Sequence, residues 1–303
     1  MIKRPSDNSK MCSPCHAETT KNYETSLHNT THGLNKGVSA RFSEHEKKLF
    51  TQKVFKGSCN SCHASCGDCH IKGPVIGGIS IGLLDGHRFV RKAEAKTCSA
   101  CHGGRVYPEF TGEYGGTPDV HYQRGMYCMD CHKVIEFHGD GKRYESRKDI
   151  PHRPKCINCH ATSKTEKSKQ SHTQHKDKVS CYACHTASLY RNCYDCHLGK
   201  GAQAKPDLIL GRNPRDPKML TTLRAVPTIK DTFKGAGIEQ EKFGEIANYW
   251  DTTPHNIAKR TDRTRACSVC HTDQKYFLKN ENMLPGNQNA NEKLIKLPPK
   301  QKK

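Results

Sequence analysis

The sequence predicts a mostly irregular chain with short α-helices and little β structure, organised around something other than a conventional apolar core. Only 33% of its 303 residues are hydrophobic, and the mean hydropathy is −0.85. That is thin material for a core of this size. The second observation is the content of 18 cysteines, because a polar chain rich in cysteine is usually held by disulfides, metals or cofactors.

All the cysteines belong to one pattern, Cys-x-x-Cys-His, which occurs nine times. The cysteines are Cys12, Cys15, Cys59, Cys62, Cys66, Cys69, Cys98, Cys101, Cys128, Cys131, Cys156, Cys159, Cys181, Cys184, Cys193, Cys196, Cys267 and Cys270. The histidines that follow them are His16, His63, His70, His102, His132, His160, His185, His197 and His271.

This spacing suits covalent attachment of haem c. Two thiols three residues apart lie about one helical turn apart, so they can form thioethers to the two vinyl groups of one porphyrin. The next residue then directs its imidazole at the iron as the proximal ligand. Zinc sites and redox-active thiol pairs also use Cys-x-x-Cys, but they do not require the following histidine. A disulfide framework has no reason to repeat one spacing. The pattern therefore predicts nine haem c groups.

Ten further histidines could supply the second axial ligands that nine electron-transfer haems need. His45 lies in a charged run that is typical of a solvated helix face, and we expect it to be the spare. His172 and His175 could serve two irons from one short helix, as could His28 and His32. The predicted distal ligands are His28, His32, His87, His121, His138, His152, His172, His175 and His255.

The motif spacing divides the chain into an eight-haem region, residues 1–200, and a C-terminal region, residues 201–303, with a haem-free module, the ninth haem and a polar tail. The closely spaced motifs within 59–70 and within 181–197 predict close haem pairs. We expect a hairpin from Asp207 to Val226 and a short helix from Phe243 to Trp250. Residues 279–303 are expected to be extended or disordered.

The formal net charge of +20 would ordinarily suggest an anionic partner. Two ionised propionates on each haem would reduce that charge to about +11 in the oxidised and about +2 in the reduced protein. Nucleic-acid binding is therefore not expected. The longest apolar stretch, Val75 to Leu84, is about half of what a membrane span needs, so no transmembrane segment is expected.

On these motifs, over residues 12–271, the chain resembles multihaem (nonahaem) c-type cytochromes of anaerobic respiratory and extracellular electron-transfer systems. The resemblance implies a polypeptide that wraps a continuous haem chain in place of an apolar core. It implies an extracellular or cell-surface location, or otherwise a periplasmic one, because haem c is attached outside the cytoplasm. Its partners would be redox donors and acceptors, other cytochromes, or further copies of itself, which in some members form a cytochrome filament.

A multihaem reductase of nitrite, hydroxylamine or a sulfur oxyanion is the alternative function. Such an enzyme needs an iron with one open face, which would be signalled by a variant motif or a shortage of distal histidines. All nine motifs end in histidine, and the distal candidates outnumber the haems. The sequence therefore predicts an electron carrier rather than an enzyme.

Overall fold

The computed structural model describes residues 9–59, 64–72, 75–76, 79–80, 88–89, 95–113, 116–160, 170–187, 208–226, 229–283 and 286–299. The side chain of Cys59, together with Cys62, His63, His87, Cys193, Cys196 and His197, lies outside these described residues, and so does the predicted boundary at residue 200. The chain is mostly helical or irregular with a small three-stranded sheet, which confirms the predicted secondary-structure class.

Helices in the described residues are short. The α-helices are α1 (Ser9–Tyr23), α2 (Leu27–Thr30), α3 (His32–Val38), α4 (Glu44–Leu49), α5 (Cys66–His70), α6 (Ala95–His102), α7 (Val106–Thr111), α8 (Cys128–Cys131), α9 (Val134–His138), α10 (Gln170–His175), α11 (Cys181–His185), α12 (Ser268–His271) and α13 (Gln288–Glu292). A π-helical segment covers Phe50–Cys59. Single 3₁₀ turns include Cys156–Asn158, Tyr122–Arg124, Phe243–Glu245 and Asn280–Asn282.

At the third and fifth motifs, a one-turn helix begins where an aspartate of the motif caps it. In α5 the carboxylate of Asp68, the residue before the second cysteine, accepts the backbone N–H of Ser65 at 2.8 Å. Asp130 holds the start of α8 in the same way. Ile71 then adopts an extended conformation and ends α5. One turn is enough to place two cysteines on one side and the histidine beside them.

The predicted hairpin is confirmed. Strands β5 (Leu208–Asn213) and β6 (Asp216–Ala225) pair antiparallel, with Leu210 opposite Thr222. A third strand, β7 (Tyr249–Asp251), pairs with the other edge of β6. Elsewhere, two-residue strands form two small pairs, β1 (Ile71–Lys72) with β4 (Arg88–Phe89) and β2 (Val75–Ile76) with β3 (Ile79–Ser80).

The helix expected from Phe243 to Trp250 is wrong. Only Phe243–Glu245 forms a helical turn, and the segment then extends into β7. Tyr249 pairs with Ala225, and its side chain is buried in the cluster that includes Leu223. The free edge of β6 and this burial outweigh the local preference of a short segment.

The expectation that residues 279–303 are extended or disordered is wrong for Asn280–Asn282 and for Gln288–Glu292. Helix α13 and the turn at Asn280–Asn282 are formed, and Leu294 is 2% exposed. The side-chain oxygen of Asn291 accepts the backbone N–H groups of Asn248 and Tyr249. The Asn291 side chain thereby takes the place of a further strand beside β7. This contact orders a polar segment that composition alone could not identify as ordered.

The chain divides into two compact units that are discontinuous in sequence. The first unit comprises residues 1–39, 51–101 and 127–154, and the second comprises residues 40–50, 102–126 and 155–303. The three-stranded sheet and its two apolar clusters belong to the second unit, as does the edge-to-face group of Phe42, Phe50 and Phe233.

Candidate metal centres

Four histidines of the motifs each face one of the ten other histidines. The ring centres are 5.9 Å apart for His70 and His138, 6.0 Å for His121 and His160, 6.1 Å for His172 and His185, and 6.1 Å for His175 and His271. Each pair joins one motif histidine to one predicted distal histidine. None of these four pairs joins two motif histidines or two of the other histidines.

The separation matches what one iron between two imidazoles requires. An imidazole nitrogen binds a transition metal at about 2.0 Å and the ring centre lies about 1 Å further back, so two rings on opposite sides of one iron have centres about 6 Å apart. Stacked or T-shaped rings also occur at 4.5–7 Å, roughly, in ordinary packing. Four pairs that each combine one motif histidine with one other histidine favour a metal ion held between the two rings.

Helix α10 places its two histidines against two different motifs. His172 faces His185 of the seventh motif, and His175 faces His271 of the ninth. The spacing of three residues puts both imidazoles near the same side of a short helix while leaving them one turn apart. This is the arrangement that ligation of two irons from one helix requires.

Two of the predicted distal histidines lie in surroundings that favour the neutral form. Burial lowers the pKa of His138, and the neighbouring His70 and His16 lower it further. The pKa of His175 is lowered first by burial and then by His271. A metal binds the neutral imidazole, so both environments favour the form that a ligand must have.

Cysteines that begin different motifs lie in contact. Interaction with Cys98 lowers the pKa of the Cys128 thiol to about 6, and interaction with Cys156 lowers that of Cys181 to about 6. Cys66 likewise interacts with Cys12. A thioether sulfur does not titrate, so these contacts matter for where they place the cysteines and not for the pKa of the thiols. They bring together the first cysteines of motifs one and three, four and five, and six and seven.

These contacts differ in part from the predicted close pairs. The sequence spacing pointed to motifs two and three and to motifs seven and eight, but motifs two and eight include residues outside the described part of the chain. The spacing along the sequence does not predict contact between motifs that longer segments separate. Similarly, His121 precedes the fifth motif but faces His160 of the sixth.

His255 is positioned by a buried ion pair. Arg105 and Glu109, both almost fully buried, are 2.9 Å apart, and Glu109 accepts the backbone N–H of His255 at 3.0 Å. Arg105 also donates to the hydroxyl of Thr252. Arg105 follows His102 by one helical turn, so the ion pair ties the segment of a predicted distal ligand to the helix that follows a motif histidine.

The remaining predicted ligands lie in varied surroundings. His28 contacts Phe137, with ring centres 5.5 Å apart. His32 lies 3.1 Å from Glu145, and Arg143 donates to its other ring nitrogen. His152 is partly exposed and lies 4.0 Å from Asp140. His45, the predicted spare, is exposed on α4.

Large apolar side chains are exposed beside or within the motifs. Met11 precedes Cys12, Tyr127 precedes Cys128, and Ile157 lies inside the sixth motif, with exposed fractions of 67%, 52% and 56%. A porphyrin face is apolar and could cover such side chains. Together with the facing imidazoles and the paired cysteines, this surface fits haem c as the group to be bound.

Within the described ranges, no three His, Cys, Asp or Glu side chains form a metal-binding group. A haem iron needs only two protein ligands, because the porphyrin supplies four nitrogens, and the histidine pairs meet that need. No helix of the described residues is long and apolar enough to cross a membrane.

No family model matches the chain, and no curated protein or solved structure is significantly similar to it.

Proposed function

We propose that this protein transfers electrons through haem c groups attached at all nine motifs, each iron bound by two histidines. The observation that carries the proposal is the set of four imidazole pairs at 5.9–6.1 Å, each made of one motif histidine and one other. When bound, haem c supplies a one-electron Fe(III)/Fe(II) couple. Two histidine ligands hold both oxidation states in one geometry and leave no open face for substrate.

The protein's residues then have distinct roles. The cysteines fix each group covalently, the motif histidines provide the proximal ligand, and the distal histidines close the opposite face. Four pairs account for His138, His121, His172 and His175 as distal ligands. Five motif histidines then remain for six candidates: His28, His32, His45, His87, His152 and His255.

Contacts between first cysteines support a pathway of closely spaced carriers. Motifs one and three, four and five, and six and seven would each form a couple. A line of carriers is useful mainly for covering distance, so we propose that the partners are other cytochromes, redox proteins or further copies of this chain, including a filament. The corresponding location is extracellular or at the cell surface, or otherwise periplasmic.

The proposal is tested first by haem content. A pyridine haemochrome assay combined with intact mass should give nine covalently bound haems per chain, and the oxidised protein should be entirely low-spin. Free thiols detected after denaturation would mean that some motifs carry no haem, and the stoichiometry would be wrong.

Ligation is tested by single variants. Replacing His121, His138, His172 or His175 by Ala should give one high-spin haem each, detected by electron paramagnetic resonance, with the other haems unchanged. Rapid carbon monoxide binding to the reduced native protein would instead indicate an open iron and favour the reductase function.

A further inference from the structure

We infer that Asp119 and Glu136 are positioning residues that lower the reduction potentials of two of the irons, those of the sixth and fifth motifs. The inference rests on the proposed function, since it assigns a role to side chains behind the axial ligands. It adds residues that do not belong to the motifs and that touch the ligands from the side facing away from the iron.

Asp119 holds His121 through two contacts. One carboxylate oxygen accepts the Nδ1–H of His121 at 2.8 Å and its backbone N–H at 2.7 Å. The other oxygen accepts the backbone N–H of Ile257 at 2.8 Å, and the Asp119 side chain is 4% exposed. The carboxylate is therefore fixed from both sides, and the proton of the His121 ring is held at Nδ1. Nε2 is left as the nitrogen available to an iron shared with His160.

Glu136 acts on His132 in the same way from a different element. It lies on α9, four residues after the motif histidine, and one of its oxygens accepts Nδ1–H of His132 at 3.0 Å. The other oxygen accepts the backbone N–H of Lys133 at 2.9 Å, and the side chain is 7% exposed. Both carboxylates are thus buried, immobilised and directed at an imidazole.

Two other ligands provide an internal contrast. Nδ1 of His185 faces the backbone carbonyl of Ala258 at 3.2 Å, and Nδ1 of His271 faces that of Pro299 at 2.8 Å. These partners are neutral carbonyl groups, whereas the partners of His121 and His132 are carboxylates. All four hydrogen bonds fix the ring, but only the two carboxylates transfer appreciable negative charge to it.

Negative charge on an axial imidazole favours the ferric state. A hydrogen bond to a carboxylate makes the ring a stronger electron donor. Because both carboxylates are buried, water screens their charge little. On reduction one electron enters the iron, no bond forms or breaks, and the ring proton stays between Nδ1 and the carboxylate. We therefore expect the irons of the fifth and sixth motifs to be harder to reduce than those bound by His185 and His271.

The test uses the full haem-bearing chain with D119N and E136Q. Each amide keeps an oxygen that accepts the Nδ1–H but removes the charge. Each variant should shift the reduction equilibrium of one iron about tenfold toward Fe(II), which for one electron is about 59 mV. Spectroelectrochemical titration measures the shift, and one low-spin paramagnetic resonance signal should change with it. E18Q and E113Q, which remove exposed carboxylates in the first and second units, should leave all potentials unchanged.

The possible results separate the two proposals. Nine low-spin haems with unchanged potentials in D119N and E136Q would overturn this inference and leave the proposed function standing. A native chain without covalent haem would end the proposed function itself. If a variant loses its haem or becomes high-spin, nuclear magnetic resonance of the reduced native protein decides. The Nδ1–H protons of His121 and His132 should then resonate further downfield than those of His185 and His271, and equal shifts would overturn the inference.

Discussion

The two units of the chain differ in what their described residues bury. Among the described residues, the first unit buries one large apolar side chain, Phe55, and its other buried side chains are mainly polar. The second unit buries two apolar clusters on a three-stranded sheet, with Leu208, Leu223 and Leu278 fully inaccessible. Among the described residues, the two units therefore differ in how much apolar surface they bury.

This difference separates two ways in which a haem protein can be stable. A unit without an apolar core must obtain its stability from the bound group, much as small metal-dependent domains do. A unit with a packed sheet has hydrophobic stabilisation of its own. We expect the first unit to depend on haem for folding and the second to depend on it less.

The largest expected effect comes from omitting haem. In chain produced without haem attachment, we expect the described backbone of the first unit to exchange its amide hydrogens as an unfolded chain does. Strands β5 and β6 should retain measurable protection, because their apolar faces pack against Phe277 and Leu278. Hydrogen exchange with mass spectrometry measures both units in one sample.

The haem-bearing chain is the control for this comparison, and there both units should be protected. Equal protection of both units in the haem-free chain would show that the first unit has a core of its own. An equal loss of amide protection in both units would show that the sheet does not fold without haem, as the composition of the whole chain suggests.

A smaller effect is expected from Leu223→Ala in the haem-bearing chain. Leu223 is 0% exposed and packs in the cluster with Tyr249 and Leu294, so its truncation should cost about 2–5 kcal/mol of unfolding free energy in the second unit. Hydrogen exchange in β6 reports the loss. Leu297→Ala is the matched control, since Leu297 belongs to the same unit and is 47% exposed. A similar loss in both variants would contradict a core centred on the sheet.

Glu46→Gln should have a comparable or smaller effect in the same unit. The buried carboxylate accepts four backbone N–H groups, from Ser43, Glu239, Gln240 and Glu241. Burial raises the pKa of Glu46, but these donors outweigh burial and the net shift is downward. An amide keeps one acceptor oxygen and places donors against donors, so we expect a loss of about 1.5–3 kcal/mol at neutral pH.

The pH dependence follows from the lowered pKa. The contribution of Glu46 is fully present above the ordinary pKa of 4.5 and is lost as pH falls through the lowered one. Urea unfolding of E46Q and the native protein should therefore converge in acid. Glu44→Gln, an exposed carboxylate on the same helix, should change little at either pH. A difference between E46Q and native protein that persists in acid would show that charge is not its cause.

Local chemistry explains which features the sequence could predict. The Asp207–Val226 hairpin and the motif helices follow from short-range patterns, such as the capping Asp68. The Phe243–Trp250 segment could not be assigned correctly, because the edge of β6 decides its conformation. Likewise, Leu294 and Asn291 gain their positions from distant partners.

The same limit applies to the candidate centres. Each motif names its own histidine, but no local pattern assigns His121 to His160 rather than to the nearer His132. The carboxylates behind the candidate ligands do have a local signal in the sequence. Asp119 lies two residues before one histidine, and Glu136 lies one helical turn after another.

The smallest expected effect concerns the spare histidine, which binds no iron. The two candidates, His45 and His32, lie in different units. His45→Ala in the second unit should leave all nine haems low-spin, since the side chain is exposed on α4. His32→Ala in the first unit should create one high-spin haem.

His32 contacts Glu145, but Lys36 lies 2.8 Å from the same carboxylate and is the main cause that lowers the pKa of Glu145 to about 2. Glu145 would therefore keep a partner if His32 turned to an iron, and exposed ion pairs contribute little. Paramagnetic resonance of both variants decides between them. A new high-spin signal in His45→Ala, with none in His32→Ala, would reverse the assignment and make His32 the spare.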